Sequence, residues 1–172
     1  MKITELVQQV VARKITAREQ VEASIAKARD IEEYHALLSL TEGRALARAD
    51  EIDTKIANGK DAGVLAGVPF VVKDNYLAFG APTTAASKML EHFNAPLQAT
   101  VVEKLEAAGA ICIGKSNMDA FAHGGSTENS AFGVTHNAVD TAKVAGGSSG
   151  GSAVVTELNR SEERRVGKEC RS

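Results

Sequence analysis

The hydrophobic period of this chain changes part-way along, and that change restricts the possible folds more than any other feature. Over about the first sixty residues, apolar side chains recur at helical spacing. In KITAREQVEASIAKARDIEEY, Thr16 and Glu19 make a capping box, and Val21, Ile25 and Ile31 fall roughly on one face. EGRALARADEIDTKIANGK repeats the pattern, with Leu46, Ile52 and Ile56 as the stripe and Gly59 as the stop. These first sixty residues read as helices packed on a core. The period then shortens. LAGVPFVVKDN is a β-branched run ending in Lys73 and Asp74, the signature of a buried strand. ATVVEKLEAAGAICIGK follows as a helix capped by Thr100 with Glu103 and closed at Gly109, then the strand AICIG. A strand, a helix and a strand in that order predict an α/β fold.

Composition narrows the function classes. At 172 residues, with 44% hydrophobic and 24% charged side chains, the chain reads as one soluble globular domain. A formal net charge of -2 supplies no field for gripping nucleic acid or an anionic membrane. Trp is absent and aromatics are few, which argues against base-stacking platforms. Glu5, Gln8 and Gln9 interrupt the N-terminal segment, so no signal-peptide run forms, and no apolar run approaches membrane-spanning length. The two cysteines, Cys112 in an apolar run and Cys170 in a charged tail, make no disulfide framework and fit a reduced, cytoplasmic setting.

Two Gly-containing segments invite a functional reading. Residues 109–116, GAICIGKS, match the phosphate-binding pattern G-x-x-x-x-G-K-S letter for letter. In a real phosphate loop the residues between the glycines are free to turn their amides toward the ligand, and a strand precedes them. Here a helix precedes Gly109 and AICI is itself the strand, so its amides belong to a sheet ladder. The match reads as a decoy.

The second segment is VAGGSSGGSAVV, residues 144–155, which composition alone would assign to a flexible tether. The chain turns apolar again at AVV, as a loop entering a buried helix does. Upstream, Lys73 ends an apolar strand. Its ordinary role would be a snorkelling or salt-bridged residue, paired with Asp74. A buried lysine can instead be neutral near pH 7, because desolvation penalises the ammonium, and then it can take a proton from a serine.

GVPFVVKDN, the run from TTAASKMLEHF to GKSNMDAFAHGGSTENSAFG, and AGGSSGGSA together resemble the amidase-signature family. The resemblance runs from Lys2 to about Val155, in family order. Within the family it is strongest to the A subunits of the glutamyl-tRNA(Gln)/aspartyl-tRNA(Asn) amidotransferases. It implies the N-terminal part of the amidase-signature fold, a mixed β-sheet flanked by α-helices and here truncated. It also implies a Ser–cis-Ser–Lys triad in which Lys73 is the lysine and Ser148 the bridging serine. Gly146 and Gly147 give that turn its steric freedom. Gly124, Gly125 and Ser126 of HGGSTE would line the amide pocket, although the same residues could simply form a turn.

By the same resemblance the activity is glutamine hydrolysis that supplies ammonia for converting Glu-tRNA(Gln) to Gln-tRNA(Gln). The partners would be the B and C subunits of a heterotrimer. The chain itself would need no cofactor and no metal, ATP and magnesium serving the partner subunit. A stand-alone amidase of the same family remains open, as does an inert or binding fragment.

Residues 1–155 read as a partial amidase-signature domain, and residues 156–172 as a charged tail of foreign origin. The family's nucleophile lies in a DTGGS-like loop beyond the bridging serine. Ser172 falls near that spacing in the unrelated context KECRS. The expectation is a chain without amidase activity of its own. Ala138 and Ala145 stand where the family has prolines, which loosens the approach to Ser148. His123 stands where many amidotransferase subunits have Met, as a pocket or surface residue.

Overall fold

In the computed structural model, which describes residues 2–158, the Thr16 hydroxyl accepts from the Glu19 amide at 3.0 Å and Glu19 accepts from the Thr16 amide at 2.8 Å. This reciprocal cap opens α2 (Ala17–Arg29), which follows α1 (Ile3–Val11). Val21, Ile25 and Ile31 are buried as the helical spacing requires. In α3 (Glu42–Ala57) the deepest side chains are Ala45, Ala49 and Ile52, while Leu46 and Ile56 are half-buried beside them. Small residues let α2 and α3 approach each other closely.

Between these helices lies an element the period analysis missed. Leu37–Leu40 form strand β1, so the first sixty residues are not all helical. The run is only four residues long and lacks apolar–polar alternation, and its extended form comes from pairing with a distant strand. Strand β2 (Pro69–Lys73), helix α4 (Thr100–Ala107) and strand β3 (Ile111–Ser116) then follow the predicted order. The cap of α4 differs from expectation. Ala99 occupies the N-cap position with no side-chain bond, and Thr100 is already the first helical residue. The last element among the described residues is α5 (Gly150–Glu157); the remainder of the charged tail, 159–172, with Cys170 and Ser172, lies outside the described residues.

The sheet order is β1-β3-β2, with β3 parallel to β2 and antiparallel to β1. It is a mixed sheet with helices on both faces. Val71, Ile111 and Ile113 pack with α1, α2, α3 and the Val154–Val155 step of α5. Phe70, Val72 and Cys112 face the other way, with Val102 of α4 and Ala110. Strands covered on both sides read as continuous apolar runs, which is why PFVV and AICI showed through in the sequence.

The phosphate-loop match is strand throughout its second half. Gly114, Lys115 and Ser116 lie in β3, all buried. Lys115 is fully buried and faces Asp74 at 3.0 Å. Its ammonium also donates to the Tyr76 carbonyl and the Thr83 hydroxyl, both at 2.9 Å. The other Asp74 oxygen accepts from the Thr84 amide at 2.9 Å and from the Thr84 hydroxyl. Asp74 therefore pairs with Lys115, and the sequence-based pairing with Lys73 is incorrect. Successive strand residues point to opposite faces, so Asp74, two residues beyond Val72, shares the face of Val72 and of its register partner Lys115, while Lys73 points the other way.

Candidate active site

Lys73 is the last residue of β2, in register with Ser116 at the end of β3. The Gly/Ser segment returns to the same edge. It leaves the bridge between His136 and Val144, passes Gly146 at φ +81° and the cis bond between Gly147 and Ser148, and enters α5. The segment is thus anchored and is not a tether. The Thr127 hydroxyl donates to the Gly146 carbonyl at 2.7 Å and accepts from the Gly150 amide at 3.0 Å. Gly151 donates to the Asn117 carbonyl at 3.1 Å. A Cβ at Gly151 would strike the Ala36 carbonyl and the Asn117 backbone, so only glycine lets α5 sit this close to the sheet.

This placement brings the Lys73 Nζ to 2.7 Å from the Ser148 Oγ, to which it donates. The two residues are separated by 75 positions in sequence. Burial lowers the Lys73 amine from its ordinary value, and the Asp119 carboxylate opposes that shift with a smaller effect. A lysine so placed is poised to lose its proton and then accept one from the hydroxyl it now contacts. Among the described residues, no other side chain is hydrogen-bonded to Ser148 Oγ. A cavity of about 390 Å³ opens beside the pair, lined by Lys73, Asn75, Tyr76, Val101, Ser149 and Ser152.

The HGGSTE loop packs against the segment that carries Ser148. A Cβ on Gly147 would come within 2.7 Å of the Ser126 amide nitrogen and 2.8 Å of the Gly125 carbonyl carbon. Gly124 and Gly125 are exposed and Ser126 is half-buried. His123 is exposed and contributes its carbonyl to Asn129 at 2.7 Å. Ala138 and Ala145 are both half-buried against the core.

Sequence reasoning missed Asp119, at the centre of these loops. Its side chain is 1% exposed, its own amide donates to the Ser148 carbonyl at 3.2 Å, and its Oδ1 accepts from the Thr127 amide at 3.0 Å. Inside NMDAFA it carried no periodic or motif signal. Only the tertiary return of the Gly/Ser segment reveals it.

No helix among the described residues is long and apolar enough to cross a membrane, and none of their His, Cys, Asp and Glu side chains cluster in a group of three or more that could hold a metal.

Comparison with known proteins agrees with this architecture. A family model described as Amidase matches residues 19–159. The A subunit of the glutamyl-tRNA(Gln) amidotransferase of Thermosynechococcus vestitus is 50% identical over 152 residues, which are 88% of this chain and 32% of that protein. Among solved structures, one described as an unexpected vestigial protein complex that reveals the origins of an s-triazine catabolic enzyme superposes with a TM-score of 0.88 at 37% identity, covering 94% of this chain and 36% of the other. The native peptide amidase of Stenotrophomonas maltophilia superposes with a TM-score of 0.85 at 27% identity, over 94% of this chain and 34% of its own. The chain thus spans about a third of the length of the proteins it matches. With a family match over most of its length and an α/β sheet shared with amidase structures, this chain belongs to the amidase-signature family.

Proposed function

We propose that this chain is the amide-hydrolysing part of the A subunit of a tRNA-dependent amidotransferase, with glutamine as the amide. The observation that carries this reading is the 2.7 Å contact between Lys73 and Ser148. Identity of 50% to an amidotransferase A subunit supports the choice of glutamine and of B and C subunits as partners. In the proposed chemistry, uncharged Lys73 accepts the proton of Ser148, and Ser148 accepts one from a nucleophilic serine. That serine attacks the side-chain amide carbon of glutamine. The C–N bond breaks, the proton returns through the relay to nitrogen, and ammonia leaves. Water then hydrolyses the acyl-enzyme to glutamate. Gly124, Gly125 and Ser126 border the amide, and the ammonia serves a partner that activates Glu-tRNA(Gln) with ATP and magnesium in the cytoplasm. The 172-residue chain alone is proposed to be inactive, because its sequence contains no DTGGS-like loop of the kind that carries the family's nucleophile.

The test is a chimera in which residues 19–158 replace the matching portion of a full-length amidotransferase A subunit, purified with its B and C subunits. Ammonia release from glutamine, lost on Lys73→Ala and on Ser148→Ala, is the expected result. A folded, assembled chimera that is inactive, or that keeps its activity after either substitution, contradicts the reading. A second reading, a stand-alone amidase, is favoured by the superposition on the peptide amidase. It predicts a chimera indifferent to the B and C subunits.

A further inference from the structure

The Oδ2 oxygen of Asp119 is buried and has no hydrogen-bond partner among the described residues. A buried carboxylate oxygen left without a donor is costly, so its surroundings must account for it. Three segments close on this one side chain. A Cβ on Gly147 would strike Oδ2 itself, and a Cβ on Gly124 would strike the Asp119 Cγ. Thr127 donates to Oδ1, and the Asp119 amide holds the carbonyl of Ser148. The carboxylate therefore abuts the residue immediately before Ser148. Lys73, whose Nζ lies 2.7 Å from Ser148 Oγ, is the cation it acts on.

The other charges nearby are engaged or remote. Asp74 is turned to Lys115, His123 and Glu128 are exposed, and the Asp119 carboxylate favours the ammonium form of Lys73 against the effect of burial. We propose that Asp119 is a positioning residue of the Lys73–Ser148 pair, fastening the loop that carries Ser148 and supplying the counter-charge for Lys73 when it holds a proton. This rests on the proton-relay reading given above. In that relay Lys73 becomes an ammonium as the serine attacks, and a fixed carboxylate beside Gly147 offsets the new charge without reorganisation. The same carboxylate keeps Lys73 from being neutralised outright by burial, which would leave it too weak a base.

The experiment follows the Cε resonance of Lys73 by pH titration of the 172-residue chain labelled with 13C-lysine, assigned with Lys73→Arg. Asp119→Asn keeps the shape and the Oδ1 acceptor while removing the charge. The expected result is a downward shift of the Lys73 midpoint, with exposed Lys55 and Lys104 unchanged. An unchanged or raised midpoint in a folded variant overturns the proposal, and a purely structural role for Asp119 would not produce the downward sign. Should Asp119→Asn not fold, Asp119→Ser, which also removes the charge, is titrated in the same way, and an unchanged or raised Lys73 midpoint there overturns the proposal. The titration needs no turnover, so it can fail while the chimera works, or succeed while the chimera is inactive.

Discussion

Lys73 and Cys112 are both affected by burial, and their opposite charge types give opposite consequences. Desolvation lowers the Lys73 amine and raises the Cys112 thiol, the latter to about 11. Cys112 should therefore resist iodoacetamide at pH 8 in the folded chain and react fully in denaturant; rapid alkylation without denaturant would contradict its placement. For Lys73 the unfolded chain keeps its proton to higher pH than the folded chain does. Stability accordingly rises with pH as the ordinary lysine range is approached from below. Lys73→Met should flatten the part of that slope due to this residue, measured by urea melts between pH 7 and 10. An unaltered slope would mean that Lys73 titrates alike in both states. At this scale the sequence disclosed Lys73, from its place at the end of an apolar strand. It concealed Asp119, whose neighbours in sequence say nothing about the Thr127 and Ser148 contacts that surround it.

Elements were legible where local rules decide them. The Thr16–Glu19 box set the start of α2, and β-branched runs disclosed β2 and β3. Strand β1 and the Asp74–Lys115 pair were hidden because both depend on which strand lies beside which. The pair joins β3 to the turn after β2 through a fully buried contact. Lys115→Met should destabilise by about 3–5 kcal/mol by leaving the buried Asp74 without its counter-charge, and adding Asp74→Asn should recover part of that loss. Equal melts for Lys115→Met and the unsubstituted chain would refute the pairing. Close packing of α5 gives a second contrast. Gly151→Ala should cost about 1–3 kcal/mol because its Cβ meets backbone, whereas Gly43→Ala in α3, with nothing within 4 Å, should be neutral or stabilising by up to about 1 kcal/mol. Comparable effects at both positions would contradict the close approach of α5 to Ala36 and Asn117.

Across the whole molecule, two distant segments converge on one edge of a three-stranded mixed sheet: the end of β2 with Lys73 and the entry to α5 with Ser148. The α/β class followed from the order of periods, but the meeting of positions 73 and 148 could be inferred only through resemblance. No local pattern encodes a contact across 75 residues. The proton relay depends on the amine being uncharged at working pH. Competitive acylation of the folded chain with a trace amine reagent, read residue by residue by mass spectrometry from pH 6 to 11, tests that condition most directly. Lys73 should gain reactivity at lower pH than exposed Lys55 and Lys104. If its reactivity rises together with theirs, or only at higher pH, the lysine remains an ammonium and cannot serve as the base.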